Sequence, residues 1–123
     1  MKRRLASLFL QYILQAMDRI ARFVGDRDYQ TFAADELLTS AVVRQLEIIG
    51  EAAKNLPQGI RERYADLPWH LMARMRDRLS HGYWTVDYEI VWRVIQEELP
   101  ALRPRIEVVL EEVKAEEDGW EGP

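Results

Sequence analysis

LASLFLQYILQAMDRIARFV, from Leu5 to Val24, repeats Leu5, Leu8, Phe9, Tyr12, Ile13, Ala16, Met17, Ile20 and Val24 at steps of three and four residues. Residues so spaced share one side of a helix, so the stretch presents one wide apolar face. Gly25 ends it, and GDRDYQTFAA, from Gly25 to Ala34, reads as a loop carrying Tyr29 and Phe32 inward. The period resumes in a second helix from Asp35 to Asn55, with Leu38, Ala41, Val42, Gln45, Ile48, Ile49 and Ala52 on its inner side. Gly50 in its middle costs about 1 kcal/mol relative to alanine, which suits close approach of a neighbouring helix. After Pro57, a short helix is expected over Gly59 to Tyr64. Pro68 suits the first turn of a third helix. A fourth begins near Val86, with Asp87 and Glu89 favourably placed against its dipole. Its apolar positions are Ile90, Val91, Val94, Ile95 and Leu99; Pro100 should kink or restart it before Leu102, Ile106, Val109, Leu110 and Val113. No strand alternation or repeat appears. The expected fold is all-α, an antiparallel up-down bundle of four to five helices over residues 1–113. Residues 114–123 form an acidic tail without periodicity, expected to be disordered.

Composition narrows the chemistry. A chain of 123 residues with 48% hydrophobic and 31% charged residues fits one globular domain. It has no cysteine, which excludes disulfides and thiolate metal sites, and only two histidines, which excludes a histidine-rich one. The basic, then apolar, N-terminus is interrupted by Gln11 and Gln15 and continues helically, unlike a signal peptide. No apolar run reaches the roughly 18 residues of a membrane span, so the cytoplasm is expected. The net charge is −4, but seven acids and one lysine lie from Glu107 onward, leaving 16 basic and 14 acidic residues before it. An acidic chain of this kind can still meet RNA at a local basic site.

Such a site is suggested by RMRDRLSHGYW, Arg74 to Trp84. With each helical residue turning about 100°, and Met72 taken as zero, Met75 falls near −60°, Leu79 near −20° and Arg76 near +40°. Arg76 is thus expected on the apolar stripe, where a charge needs a partner or a wet cavity. Arg74, Asp77 and Arg78 are expected on a solvated face. His81 in an unbroken helix would point about 140° from Arg76. Gly82 suits a left-handed cap that breaks the helix there, so His81 and Tyr83 could return toward Arg76 or meet its counterpart across a dimer. One reading makes His81 a cap for the helix carbonyls. The other pairs it with Arg76 for phosphodiester chemistry, imidazole taking a proton from a ribose 2′-hydroxyl and guanidinium stabilising charge on phosphorus oxygens.

Arg76, His81 and Tyr83 match the R-x4-H-x-Y motif of the HEPN superfamily. LPWHLMARMRDRLSHGYWTVDYEIVW and AVVRQLEIIGEAAKNL together resemble the HepT-like toxins of that superfamily, a likeness running from about Leu10 to Leu110. The resemblance implies a homodimer or higher oligomer acting, without a metal or other cofactor, as an endoribonuclease. It is expected to be the toxin of a type VII toxin–antitoxin pair, cutting RNA in a cleft between protomers and leaving a 2′,3′-cyclic phosphate. Arg76 would stabilise the phosphate and His81 would act as acid or base. Asp77, where this branch more often has asparagine, and Ser80 are accessory candidates. An MntA-like nucleotidyltransferase antitoxin would neutralise the toxin by attaching AMP to Tyr83. The alternative is a non-catalytic helical dimer that docks a nucleotidyltransferase or binds a nucleotide.

Overall fold

The computed structural model describes residues 5–81 and 85–119. The first helix, α1, spans Ala6–Val24 and ends at Gly25, whose φ of 57° lies in the left-handed region that glycine adopts without steric cost. Leu10, Ile13, Ala16, Met17, Ile20 and Val24 are buried, whereas Leu5, Leu8 and Tyr12 are 39–44% exposed. The face is therefore as wide as expected, but only its centre reaches the core.

The stretch expected to be a loop contains a short helix, α2, at Tyr29–Ala34. The reason is local: the Asp28 carboxylate accepts a hydrogen bond from the Thr31 amide at 2.8 Å and caps it. Fully buried Phe32 stacks at 5.1 Å against Trp92. Asp35 accepts from the Leu38 amide and caps α3, Glu36–Lys54. This helix packs along α1 on one side and against α5 and α6 on another. Gly50 lies at the second contact: a Cβ there would sit 3.1 Å from the Met72 carbonyl oxygen and 3.3 Å from Met75 Cβ. The glycine is thus the close approach expected of it. Short α4 follows at Gln58–Arg63.

The expected third helix is divided at Arg74 into α5, Trp69–Ala73, and α6, Met75–Leu79. A two-residue ladder follows, with Ser80 paired to Val86 and His81 to Thr85 in antiparallel register. No strand was expected there. Asp87 then caps α7, Tyr88–Arg93, by accepting from the Glu89 and Ile90 amides. A π-helical turn, Val94–Glu98, leads without a stop into α8, Leu99–Asp118. Pro100 explains the widened turn, because it lacks the amide that would bond Gln96 and its ring would press on that carbonyl. The proline thus loosens one turn where a kink or restart was expected.

Helix α8 also runs further than the sequence pattern implied. Residues 114–118, expected to begin a disordered tail, are helical because their acids have partners. Arg63 donates to Glu116 at 2.7 Å, and the Ser7 amide and hydroxyl both donate to Glu117. One turn earlier, Tyr64 donates its phenol to Glu112 at 2.6 Å. The all-α expectation holds, apart from the small ladder. Among the described residues no helix is long and apolar enough to cross a membrane.

Candidate active site

Met72, Met75 and Leu79 are buried against α3, which fixes how α5 and α6 sit. The expected phase was right for these three and for Arg74, and wrong for Arg76 and Arg78. The Arg76 side chain is 86% exposed and does not lie on the buried stripe. The break at Arg74 leaves α6 only five residues long, so Arg76 faces the open groove beside α3 and not the core. Arg78, expected to be solvated, is the sheltered one at 25% exposure. Its Nη2 donates to both Glu98 oxygens at 2.8 Å, tying α6 to the π turn. Arg74 and Asp77 are exposed as expected, 3.9 Å apart.

The helix ends before Gly82, contrary to the cap expected there. Ser80 is already extended, with φ −84° and ψ 144°, and its hydroxyl donates to the Arg76 carbonyl at 2.9 Å. The Asp87 amide donates to the Leu79 carbonyl at 2.8 Å and closes the base of the ladder. Ser80 is therefore a fastener of the helix end. The backbone of His81 follows it opposite Thr85, off the helix, so the 140° separation of an unbroken helix does not apply. Gly82 and Tyr83 lie outside the described residues.

Between α3, α6 and the ladder is a pocket of about 210 Å³ lined by Val43, Glu47, Arg76, Leu79, Ser80, Thr85 and Val86. Glu47 was not singled out by the sequence motif. It projects one helical turn after Val43, and its Oε2 lies 4.0 Å from Arg76 Nε. The pocket thus holds one cation and one carboxylate, with His81 adjoining its wall in the chain. A larger groove of about 350 Å³ between α1 and the π turn offers less chemistry. Its charged groups, Asp18 and Arg103, are paired with each other at 2.6 Å. Reactive groups, not volume, single out the smaller pocket. Among the described residues no three histidine or acidic side chains cluster as metal ligands.

A helical bundle that sets an exposed guanidinium 4.0 Å from a carboxylate, beside a histidine-bearing ladder, carries groups suited to phosphodiester chemistry. Comparison with known proteins agrees with that class. The family described as Ribonuclease HepT-like matches residues 13–109, and the chain belongs to it. A relative from Caldanaerobacter subterraneus subsp. tengcongensis, provisionally named an RNase, is 42% identical over 106 residues, covering 86% of this chain and 95% of its own. One from Methanocaldococcus jannaschii, likewise provisionally named an RNase, is 40% identical over 114 residues, 93% of this chain and 98% of its own. A third, from Thermococcus cleftensis and provisionally named ribonuclease HepT, is 38% identical over 99 residues, 80% and 90% of the two chains. No solved structure matches significantly.

Proposed function

We propose that this chain is a metal-independent endoribonuclease and the toxin of a type VII toxin–antitoxin pair, acting in the cytoplasm. Arg76 binds the scissile phosphate and stabilises its developing charge, and His81 transfers protons. The observation that carries the reading is the contrast between two arginines of one short helix. Arg78 is forked onto Glu98, as a structural arginine is. The Arg76 side chain makes no hydrogen bond among the described residues and extends its guanidinium at a pocket. A planar donor left uncommitted is what a phosphate-binding role requires. Family membership and the relatives' names point the same way.

The proposed assembly is a homodimer, and the exposed Leu5, Leu8 and Tyr12 supply apolar surface that a second copy would cover. The proposed partner is an MntA-like nucleotidyltransferase that silences the toxin by attaching AMP to Tyr83. Purified protein should cleave RNA in EDTA. His81→Ala should lower the rate by about 10²–10⁴-fold, the usual range for a general acid or base. Cleavage that survives this substitution refutes the assignment. Intact mass after co-expression with the nucleotidyltransferase tests the second part, where an unmodified Tyr83 in a neutralised complex refutes it.

A further inference from the structure

We propose that Glu47 is a second catalytic residue of this pocket, the general base that takes the proton from the attacking ribose 2′-hydroxyl. The inference rests on the ribonuclease reading and adds a residue that the R-x4-H-x-Y motif does not contain.

Its chemical motive is that one imidazole cannot play both parts in one step, so a site built within one protomer needs a second group. Transphosphorylation needs an unprotonated group to accept the 2′-hydroxyl proton and a protonated group to supply the leaving 5′-oxygen. Among the described pocket residues Glu47 is the one side chain with a carboxylate to accept a proton, because Val43, Leu79 and Val86 are apolar, Ser80 and Thr85 are hydroxyls and Arg76 is a guanidinium.

Its geometry is suited to the task. Glu47 stands on α3, a helix of 19 residues, between buried Leu46 and buried Ile49 and Gly50. That anchorage is more rigid than a loop gives. The carboxylate is partly sheltered, at 32% exposure, yet its nearest approach to Arg76 is 4.0 Å, outside hydrogen-bond reach. A carboxylate whose purpose was to lock the arginine would grip it as Glu98 grips Arg78, at 2.8 Å. Glu47 instead lies toward Nε and leaves the two terminal nitrogens of Arg76 open to a phosphate. A phosphate there brings the neighbouring 2′-hydroxyl toward the carboxylate. The O2′–P bond then forms while the P–O5′ bond breaks. The 2′-hydroxyl proton passes to Glu47 and a proton from His81 passes to O5′. The products are a 2′,3′-cyclic phosphate and a 5′-hydroxyl, and exchange with water resets both groups.

The test separates base from acid by changing the leaving group. Full-length wild type, Glu47→Gln, Glu47→Asp and His81→Ala are assayed on one RNA and on the same RNA carrying a 5′-bridging phosphorothiolate at the cleaved linkage. The thiolate leaves without a proton, so that substrate needs the base but not the acid. Glu47→Gln should lose about 10²-fold or more on both substrates with an unchanged melting temperature, and Glu47→Asp should recover part of the loss. His81→Ala should be severely impaired on RNA and return to within about tenfold of wild type on the phosphorothiolate. A Glu47→Gln enzyme within about fivefold of wild type on both substrates would reduce Glu47 to a surface ion pair and overturn the proposal. So would a His81→Ala enzyme equally impaired on both, since His81 would then take the proton. A wild type that cleaves neither RNA overturns the ribonuclease reading itself, and the proposal with it.

Discussion

Gly50→Ala sets two effects of similar size against each other. Alanine gains about 1 kcal/mol of helix propensity over glycine. Its Cβ, however, would stand 3.1 Å from the Met72 carbonyl oxygen and 3.3 Å from Met75 Cβ. Carbon contacts are comfortable at about 3.5–4.0 Å, and neither neighbour is the loose end of a flexible side chain. Relief therefore requires α5 and α6 to move away from α3 as a unit. Overpacking of this kind costs about 1–3 kcal/mol, so the net change is a loss of about 0–2 kcal/mol and a fall of a few degrees in melting temperature. The same displacement carries Arg76 away from Glu47. A misplacement of about 1 Å can cost about 10²-fold in rate, so a shift of a few tenths should cost severalfold. Urea unfolding and RNA cleavage measured on one preparation read both effects. A variant that is about 1 kcal/mol more stable and cleaves at the wild-type rate would refute the close contact as the reason for the glycine.

Other perturbations test the frame around the site. Phe32→Ala empties a fully buried position packed on Trp92 and should cost about 3–5 kcal/mol in chemical denaturation; a loss under about 1 kcal/mol would mean that α2 is not part of the core. Arg78→Met and Glu98→Gln, combined in a double-mutant cycle, should show a coupling of about 1 kcal/mol, with zero coupling showing that the fork does not hold α6 to the π turn. The Tyr64 phenol is pushed up to about 12 by burial and by its hydrogen bond to Glu112. A folded-state value above the ordinary 10 makes this contribution complete below pH 10 and lost as the pH rises toward 12. Tyr64→Phe should therefore flatten the fall in melting temperature over that window, and an unchanged fall would remove Tyr64 as its cause.

Periodicity carried most of the fold because burial repeats wherever helices stack, and α1 and α3 lie within a residue or two of where their patterns placed them. The failures have one physical origin, which is partnership across the chain. Nothing in the acidic run after Lys114 says that Arg63 and Ser7 await it, so the run looked like a tail. Pro100 looked like an interruption because the π turn that accommodates it is a backbone adjustment with no side-chain signature. Arg76 and Arg78 were interchanged in environment for the same reason. Their rotation about an ideal helix said which was nearer the stripe, but Glu98, 20 residues on, decided which was enclosed. The motif drew attention to Arg76 and to the segment after it, while Glu47, on α3 beside a buried row, carries no signal in the motif that links it to that arginine.

The charge of the chain bears differently on RNA once its acids are located. Glu107, Glu112, Glu116 and Glu117 are engaged by Arg103, Tyr64, Arg63 and Ser7 in holding α8, and none of them lines the pocket, where one carboxylate faces one guanidinium. A site with a single basic side chain among its described walls neutralises few phosphates, and each contributes a slope of about −0.7 to the dependence of log affinity on log salt for single strands. The proposed enzyme should therefore bind RNA weakly and lose affinity gently, with a slope between about −0.7 and −1.5 per site. A steeper slope, beyond about −3, would require a basic track extending from the pocket across the surface, and the chemistry would no longer rest on Arg76 alone for its hold on the substrate. Titrating a cleavage-deficient His81→Ala protein with a fluorescent RNA between low and physiological salt distinguishes the two, because it measures binding apart from cleavage.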